Sequence, residues 1–167
     1  MNVTDVLGES ELFHNLDSAH LKTVAGMCRG TSSRKDTTLF IEGDEATELY
    51  VLQSGRAVLE MQLHPMLDEG PVIPTPLEVV SEGGCFGWSA LVEPYSYTLS
   101  ARCLTNCTVL AVKGSRLRDA MASDSDLNGE VMKTLAGLIA LRLVETRIRL
   151  SSGFGFILQG HEISTSI

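Results

Sequence analysis

At 167 residues with a net charge of −8, the chain has the length of one domain and the wrong sign for a generic nucleic-acid surface, because neutralising phosphates takes clustered Lys and Arg. With 44% apolar and 20% charged residues it can bury about two-thirds of its unfolded surface, which excludes a disordered chain and removes any need for a disulfide or metal. No apolar run reaches the roughly eighteen residues of a membrane span, and Met1-Asn2-Val3-Thr4-Asp5 lacks the basic start and apolar core of a secretory signal, so the expectation is a cytoplasmic protein without nucleic acid or membrane as partner.

The first predicted element is helical, within residues 10–25. Leu21, Val24 and Ala25 share an apolar face, and Asp17 or Ser18 is available as N-cap. From Thr31 the period changes to two. Strands are predicted at 37–41, 49–52, 56–61, 77–80, 98–103 and 108–112, separated by glycine turns such as Gln53-Ser54-Gly55. Residues 64–76 carry Pro65, Pro71, Pro74 and Pro76 and read as a long loop or hairpin tip. A short helix is expected over 116–121 and a long one over about 127–150, about 36 Å if continuous. Its stripe is Val131, Leu135, Leu138, Leu141, Val144 and Ile148, which could pack on the domain, on a twin helix, or on both. The tail 151–167 is interrupted by Gly153 and Gly155 and reads as irregular or loosely docked.

These elements make the fold class mainly β with flanking helices. The expected architecture is a double-stranded β-helix, a jelly-roll-like β-roll over about 31–112, with N-terminal helices and a long C-terminal helix. Residues 1–150 form the domain, and no DNA-binding domain is placed in the tail. The charge is uneven. Residues 41–93 carry ten acids and one base, Arg56, whereas 94–118 carry Arg102, Lys113, Arg116, Arg118 and no acid, a pattern that suits a surface with two faces.

Few residues suggest chemistry. Cys28, Cys85, Cys103 and Cys107 read as free thiols with packing roles. Cys103 and Cys107, if on one strand, would lie about 13 Å apart, too far for one metal ion. His14, His20, His64 and His161 have no metal-like spacing, and no nucleophile elbow, P-loop or dinucleotide fingerprint is present. No catalytic or metal site is expected, and no cofactor is assigned.

Two glycine-punctuated segments stand out: Glu42-Gly43-Asp44-Glu45-Ala46-Thr47-Glu48-Leu49-Tyr50-Val51-Leu52-Gln53-Ser54-Gly55 and Glu82-Gly83-Gly84-Cys85-Phe86-Gly87-Trp88-Ser89-Ala90-Leu91. With the order of elements, they resemble the cyclic nucleotide-binding domain, the effector half of catabolite-activator and FNR-type regulators, over roughly residues 10–150. The second segment is similar to that family's phosphate-binding cassette. The resemblance implies ligand contacts at Gly84, Phe86, Gly87, Trp88, Ser89, Ala90, Ser96, Tyr97 and Thr98, and a homodimer through the final helix.

From the residues themselves, Gly83, Gly84 and Gly87 let backbone approach a ligand closely, and Ser89-Ala90-Leu91 would open a helix whose N–H groups face an anion. The same glycines could equally turn a β-roll corner. Family members that bind a cyclic nucleotide carry Glu after Phe-Gly and an Arg a few residues on; here Trp88 and Ser96, or Tyr97, stand there. Losing a charge-assisted phosphate contact costs about 1.5–3 kcal/mol, more than tenfold in affinity. Cyclic AMP is therefore disfavoured. Trp88, Tyr95 and Tyr97 suit a small anionic or aromatic ligand, or else Trp88 fills the emptied pocket. Arg102 is the nearest substitute anion contact, unless it is ion-paired or solvated. The expected function is a non-enzymatic regulatory, ligand-sensing module. The alternatives are an interaction adaptor docking a protein partner through its acidic or basic block, and an effector part of a transcription regulator lacking its DNA reader.

Overall fold

Helices α1 (Val3–Gly8) and α2 (Ser18–Ala25) precede the β region. The computed structural model describes residues 2–63 and 72–162, with side chains to residue 151. Asp17 caps α2, accepting from the N–H groups of Ala19 and His20 at 2.9 and 2.8 Å. The bond from His20 foremost holds its carboxyl below the ordinary range. Helix α1 has the capping pair Asn2 and Asp5 and lies outside the segment expected to be helical. It buries Val6 and Leu7.

Among the described residues, eight strands form two antiparallel four-stranded sheets. They are β1 (Cys28–Ser33), β2 (Thr38–Phe40), β3 (Glu48–Ser54), β4 (Ala57–Leu63), β5 (Ile73–Val80), β6 (Cys85–Phe86), β7 (Ser100–Cys103) and β8 (Cys107–Lys113). The orders are β1-β8-β3-β6 and β2-β7-β4-β5, so partners come from distant parts of the chain, as in the predicted β-roll. Residues on both faces of the strands, such as Leu49, Val51, Leu52, Ala101, Val109 and Val112, are wholly buried. Gly55 makes the β3–β4 turn at φ 93°. A Cβ there would stand 2.3 Å from the carbonyl oxygen of Asn106, so only glycine fits.

Three expectations are corrected. β1 begins at Cys28, ahead of the point where alternation becomes visible; its pattern is mostly polar because it pairs only with β8. The loop expected over 64–76 is strand from Ile73 onward, with Pro74 opposite Gln62 and Pro76 opposite Glu60; residues 64–71 lie outside the described residues. Proline is compatible here because β5 is an edge strand, where a missing N–H leaves no ladder bond unmade. The final helix does not stop near 150: after α3 (Gly114–Ser123), α4 runs from Ser125 to Glu162, about 57 Å. Gly153 and Gly155 each cost a helix only about 1 kcal/mol, and no proline follows Pro94. Residues 163–167 of the expected tail lie outside the described residues.

Among the described residues of α4, the apolar side chains that are fully buried lie in its first part. Leu127, Val131 and Leu135 are buried and Leu138 lies against the core, whereas Leu141, Val144 and Ile148 are 62%, 49% and 60% exposed. The predicted stripe is thus divided between two environments. Among the described residues, no helix is long and apolar enough to cross a membrane.

Candidate functional site

The second glycine-rich segment becomes strand β6 and a single 3-10 turn, Trp88–Leu91. Gly87 enters this turn at φ 75°, where a Cβ would press 3.1 Å from the Glu48 carbonyl oxygen and 3.3 Å from the Tyr50 ring. The turn is shorter than the helix expected from Ser89-Ala90-Leu91 and begins one residue earlier. Its carbonyl at Ala90 accepts from the guanidinium of Arg118 on α3, and the same guanidinium lies 4.1 Å over the Tyr95 ring. Two elements of different sequence origin therefore clamp the segment.

The aromatic residues divide sharply. Phe40 and Tyr97 stack at 3.9 Å, and Phe86 stacks on Tyr50 at 5.4 Å. Tyr97 is 5% exposed, its hydroxyl donates to the Glu48 carbonyl at 2.7 Å, and burial raises its pKa. These rings are core. Trp88 instead lies at the surface of the roll, half-buried, and faces α4.

Trp88 lines two cavities. One, of about 200 Å³, is apolar and is completed by Ser89 and Val92 with Leu135 and Ile139 of α4. The other, of about 180 Å³, lies between the roll (Leu59, Leu77, Glu78, Thr98, Leu99) and the α4 residues Arg142, Glu145, Thr146 and Arg149. Both are smaller than the ~300–1,000 Å³ usual for a drug-sized ligand. The second carries the charge: Arg142 pairs with Glu78 and with Glu11 at 3.2 Å, and stands 5.9 Å over the Trp88 ring.

Of the residues singled out from sequence, Trp88, Ser89 and Thr98 line these cavities. Gly84, Phe86, Gly87, Ala90, Ser96 and Tyr97 do not line them. Gly84 is held against Val80, where a Cβ would clash at 2.5 Å; Ala90 is fully buried; the Ser96 hydroxyl donates to the Gly43 carbonyl at 3.1 Å. The charged groups of the cavity were not singled out at all. Glu78 lies in the strand predicted at 77–80 and Arg142 in the long helix, and no local spacing relates them to Trp88.

Arg102 is ion-paired rather than free for an anion. It meets Glu60 at 2.5 Å and Asp36 at 3.2 Å, and the hydrogen bond to Glu60 raises its pKa further. With Arg118 on the segment's backbone, two members of the predicted basic field, Arg102 and Arg118, are engaged in separate structural contacts.

The cysteine geometry is also corrected. Cys103 ends β7 and Cys107 begins β8; the turn between them brings the thiols near enough to influence one another, not 13 Å apart, and the Cys107 thiol donates to the Arg56 carbonyl at 3.1 Å. Burial, and then Cys107, push the Cys103 thiol up to about 12; burial pushes Cys85 up to about 12 and Cys28 to about 11. Thiolates are the reactive form, so at pH 8 the native protein should alkylate at Cys28 roughly a hundredfold more slowly than free cysteine. All four thiols should react once the chain is denatured. Prompt native labelling of Cys103 or Cys107 in peptide mass spectrometry would contradict a packing role. Among the described residues, no group of three or more potential metal ligands gathers.

The comparisons agree with this architecture. The family model described as cyclic nucleotide-binding domain matches residues 31–124. A Geobacter metallireducens protein described as cyclic nucleotide-binding is 26% identical, with 86% of this chain and 99% of that chain covered and a TM-score of 0.72. A cyclic nucleotide-binding domain from Methylobacillus flagellatus is 15% identical over 91% of this chain and 82% of that one, TM-score 0.74. The Thermus thermophilus catabolite activator protein is 22% identical over 85% of this chain, TM-score 0.68, and the chain spans 62% of its length. The last two likenesses concern the fold alone. No curated protein matches the sequence.

Proposed function

The chain belongs to the cyclic nucleotide-binding domain family, and from that premise we propose that it is a non-enzymatic, ligand-sensing regulatory module that does not take cyclic AMP in the family's usual way. The observation that carries this reading is Trp88. It stands where the nucleotide-binding pattern has Glu, its ring lines the cavity under α4, and the charges around it belong to β5 and α4 rather than to the glycine-rich segment. A cavity of about 180 Å³ suits a single-ring ligand better than a nucleotide, since a cavity near 150 Å³ holds benzene. Residues 1–150 act as the unit, with a homodimer through the exposed stripe of α4 in the cytoplasm.

Trp88 is the one tryptophan of the chain and reports on the cavity directly. Titration with cyclic AMP or cyclic GMP to about 1 mM should leave its emission unchanged. A saturable change with a midpoint near 10 µM would overturn the reading. Small aromatic acids belong in the same panel: a specific response supports a sensor. The second reading, an adaptor that docks a protein partner and has lost its ligand, draws support from the pairing of Arg142 with Glu78 and Glu11, and is favoured if nothing in the panel produces a response.

A further inference from the structure

Arg142 joins four parts of the chain. Besides Glu78 on β5, Trp88 and its own helix, it holds Glu11 near the N-terminus. Glu11 is itself fixed: its carboxylate accepts from the Cys85 N–H at 3.2 Å and its own N–H donates to the Gly83 carbonyl at 2.9 Å. The Arg142 and Glu78 side chains are 23% and 16% exposed, shielded enough that salt screens them weakly.

Apolar burial cannot hold this stretch of α4. Its buried anchors end at Leu135, with Leu138 only partly covered, and Leu141, Val144 and Ile148 face outward. Beyond Ile139, which borders the apolar cavity beside Trp88, the contacts that tie this stretch to the roll include the two ion pairs of Arg142 and a bond from Arg149 to the Leu77 carbonyl. The cavity lining is also balanced in charge, Arg142 and Arg149 against Glu78 and Glu145, so an anion gains a partner there only by displacing a carboxylate.

We propose that Arg142 is an internal latch, whose guanidinium, shared between Glu11 and Glu78 over the Trp88 ring, holds the distal half of α4 on the roll with no small molecule bound. This rests on reading the cavity as the effector site: an anionic effector would act by competing with the two carboxylates for Arg142 and so release the helix.

The test is amide hydrogen exchange on the full chain, with Trp88 emission alongside. Arg142→Gln should speed exchange in residues 139–150 about tenfold, leave 127–135 unchanged and shift Trp88 emission to the red. The double variant Glu11→Gln with Glu78→Gln, which leaves every apolar contact of α4 in place, should do the same. It decides the matter if circular dichroism shows that Arg142→Gln has not folded. Unchanged exchange in 139–150 would overturn the latch, as would equal acceleration throughout 127–150. No nucleotide enters this experiment, so saturable binding of cyclic AMP would refute the functional reading and leave the exchange result to stand or fall separately.

Discussion

Replacing Arg102 with methionine is expected to lower the stability of the domain by about 2–3 kcal/mol. Glu60 is 6% exposed on β4, and Arg102, across the strand pair at β7, is the partner that meets its carboxylate. Removing the guanidinium leaves a buried carboxylate with its desolvation uncompensated. The magnitude falls below that of a fully buried pair because the Arg102 side chain is 33% exposed, so water reaches the site. The companion pair with Asp36, 65% exposed, should contribute little, and Asp36→Asn, which suits the positive φ of 65° at that position, should change stability by under about 0.5 kcal/mol. Urea unfolding followed by circular dichroism reads both. The midpoint for Arg102→Met should fall with an unchanged slope. Changing Glu60 and Arg102 together to leucine and methionine should recover most of the loss, since an apolar pair leaves nothing unsatisfied. A single variant as stable as the native chain would show that Glu60 is hydrated and Arg102 available for a ligand.

The second large effect concerns assembly. In the proposed homodimer, changing both Leu141 and Val144 to aspartate should weaken association at least about a hundredfold, because each side chain withdrawn from water in an interface contributes about 1.5–3 kcal/mol. Both residues are about half exposed or more in the single chain, so the variant should fold normally. Leu135→Ala is the contrast. Leu135 is 1% exposed within its own domain, and its truncation should cost about 2–5 kcal/mol of folding stability without a direct effect on association. Sedimentation equilibrium separates the two. A native chain that stays monomeric at about 100 µM would refute the dimer.

This division within α4 illustrates what was legible. The 3-4 spacing from Val131 to Ile148 predicts one continuous stripe, and the helix is there. Spacing alone does not say which residues of the stripe turn toward the roll. Leu135 is covered because it faces the roll; Leu141 is exposed because it lies on another side of the helix, while its neighbour Arg142 takes the roll-facing position. In the same way, alternation revealed β3, β4 and β8, which are buried on at least one face. It missed β1, whose polar residues make no apolar pattern, and the start of β5, where Pro74 and Pro76 read as a loop until an edge position accommodates them.

For the site, the glycine-rich segment and the replacement at Trp88 are local facts about neighbouring residues, and the chain carries them openly. The same holds for the family, for the succession of elements, and for the dearth of clustered basic residues. Tertiary structure alone decided which groups share the cavity. Glu11 and Arg142 are 131 residues apart, and only the folding of β5 and α4 over the roll places them together with Glu78 and Trp88. It also decided that Tyr97 and Phe86 are core and that Arg102 is engaged with Glu60. The physical reason is the range of the forces involved. Backbone conformation and hydrophobic periodicity act between near neighbours and leave a regular trace in sequence. Ion pairing and burial depend on distance in space, and a carboxylate carries no mark of the arginine it will meet.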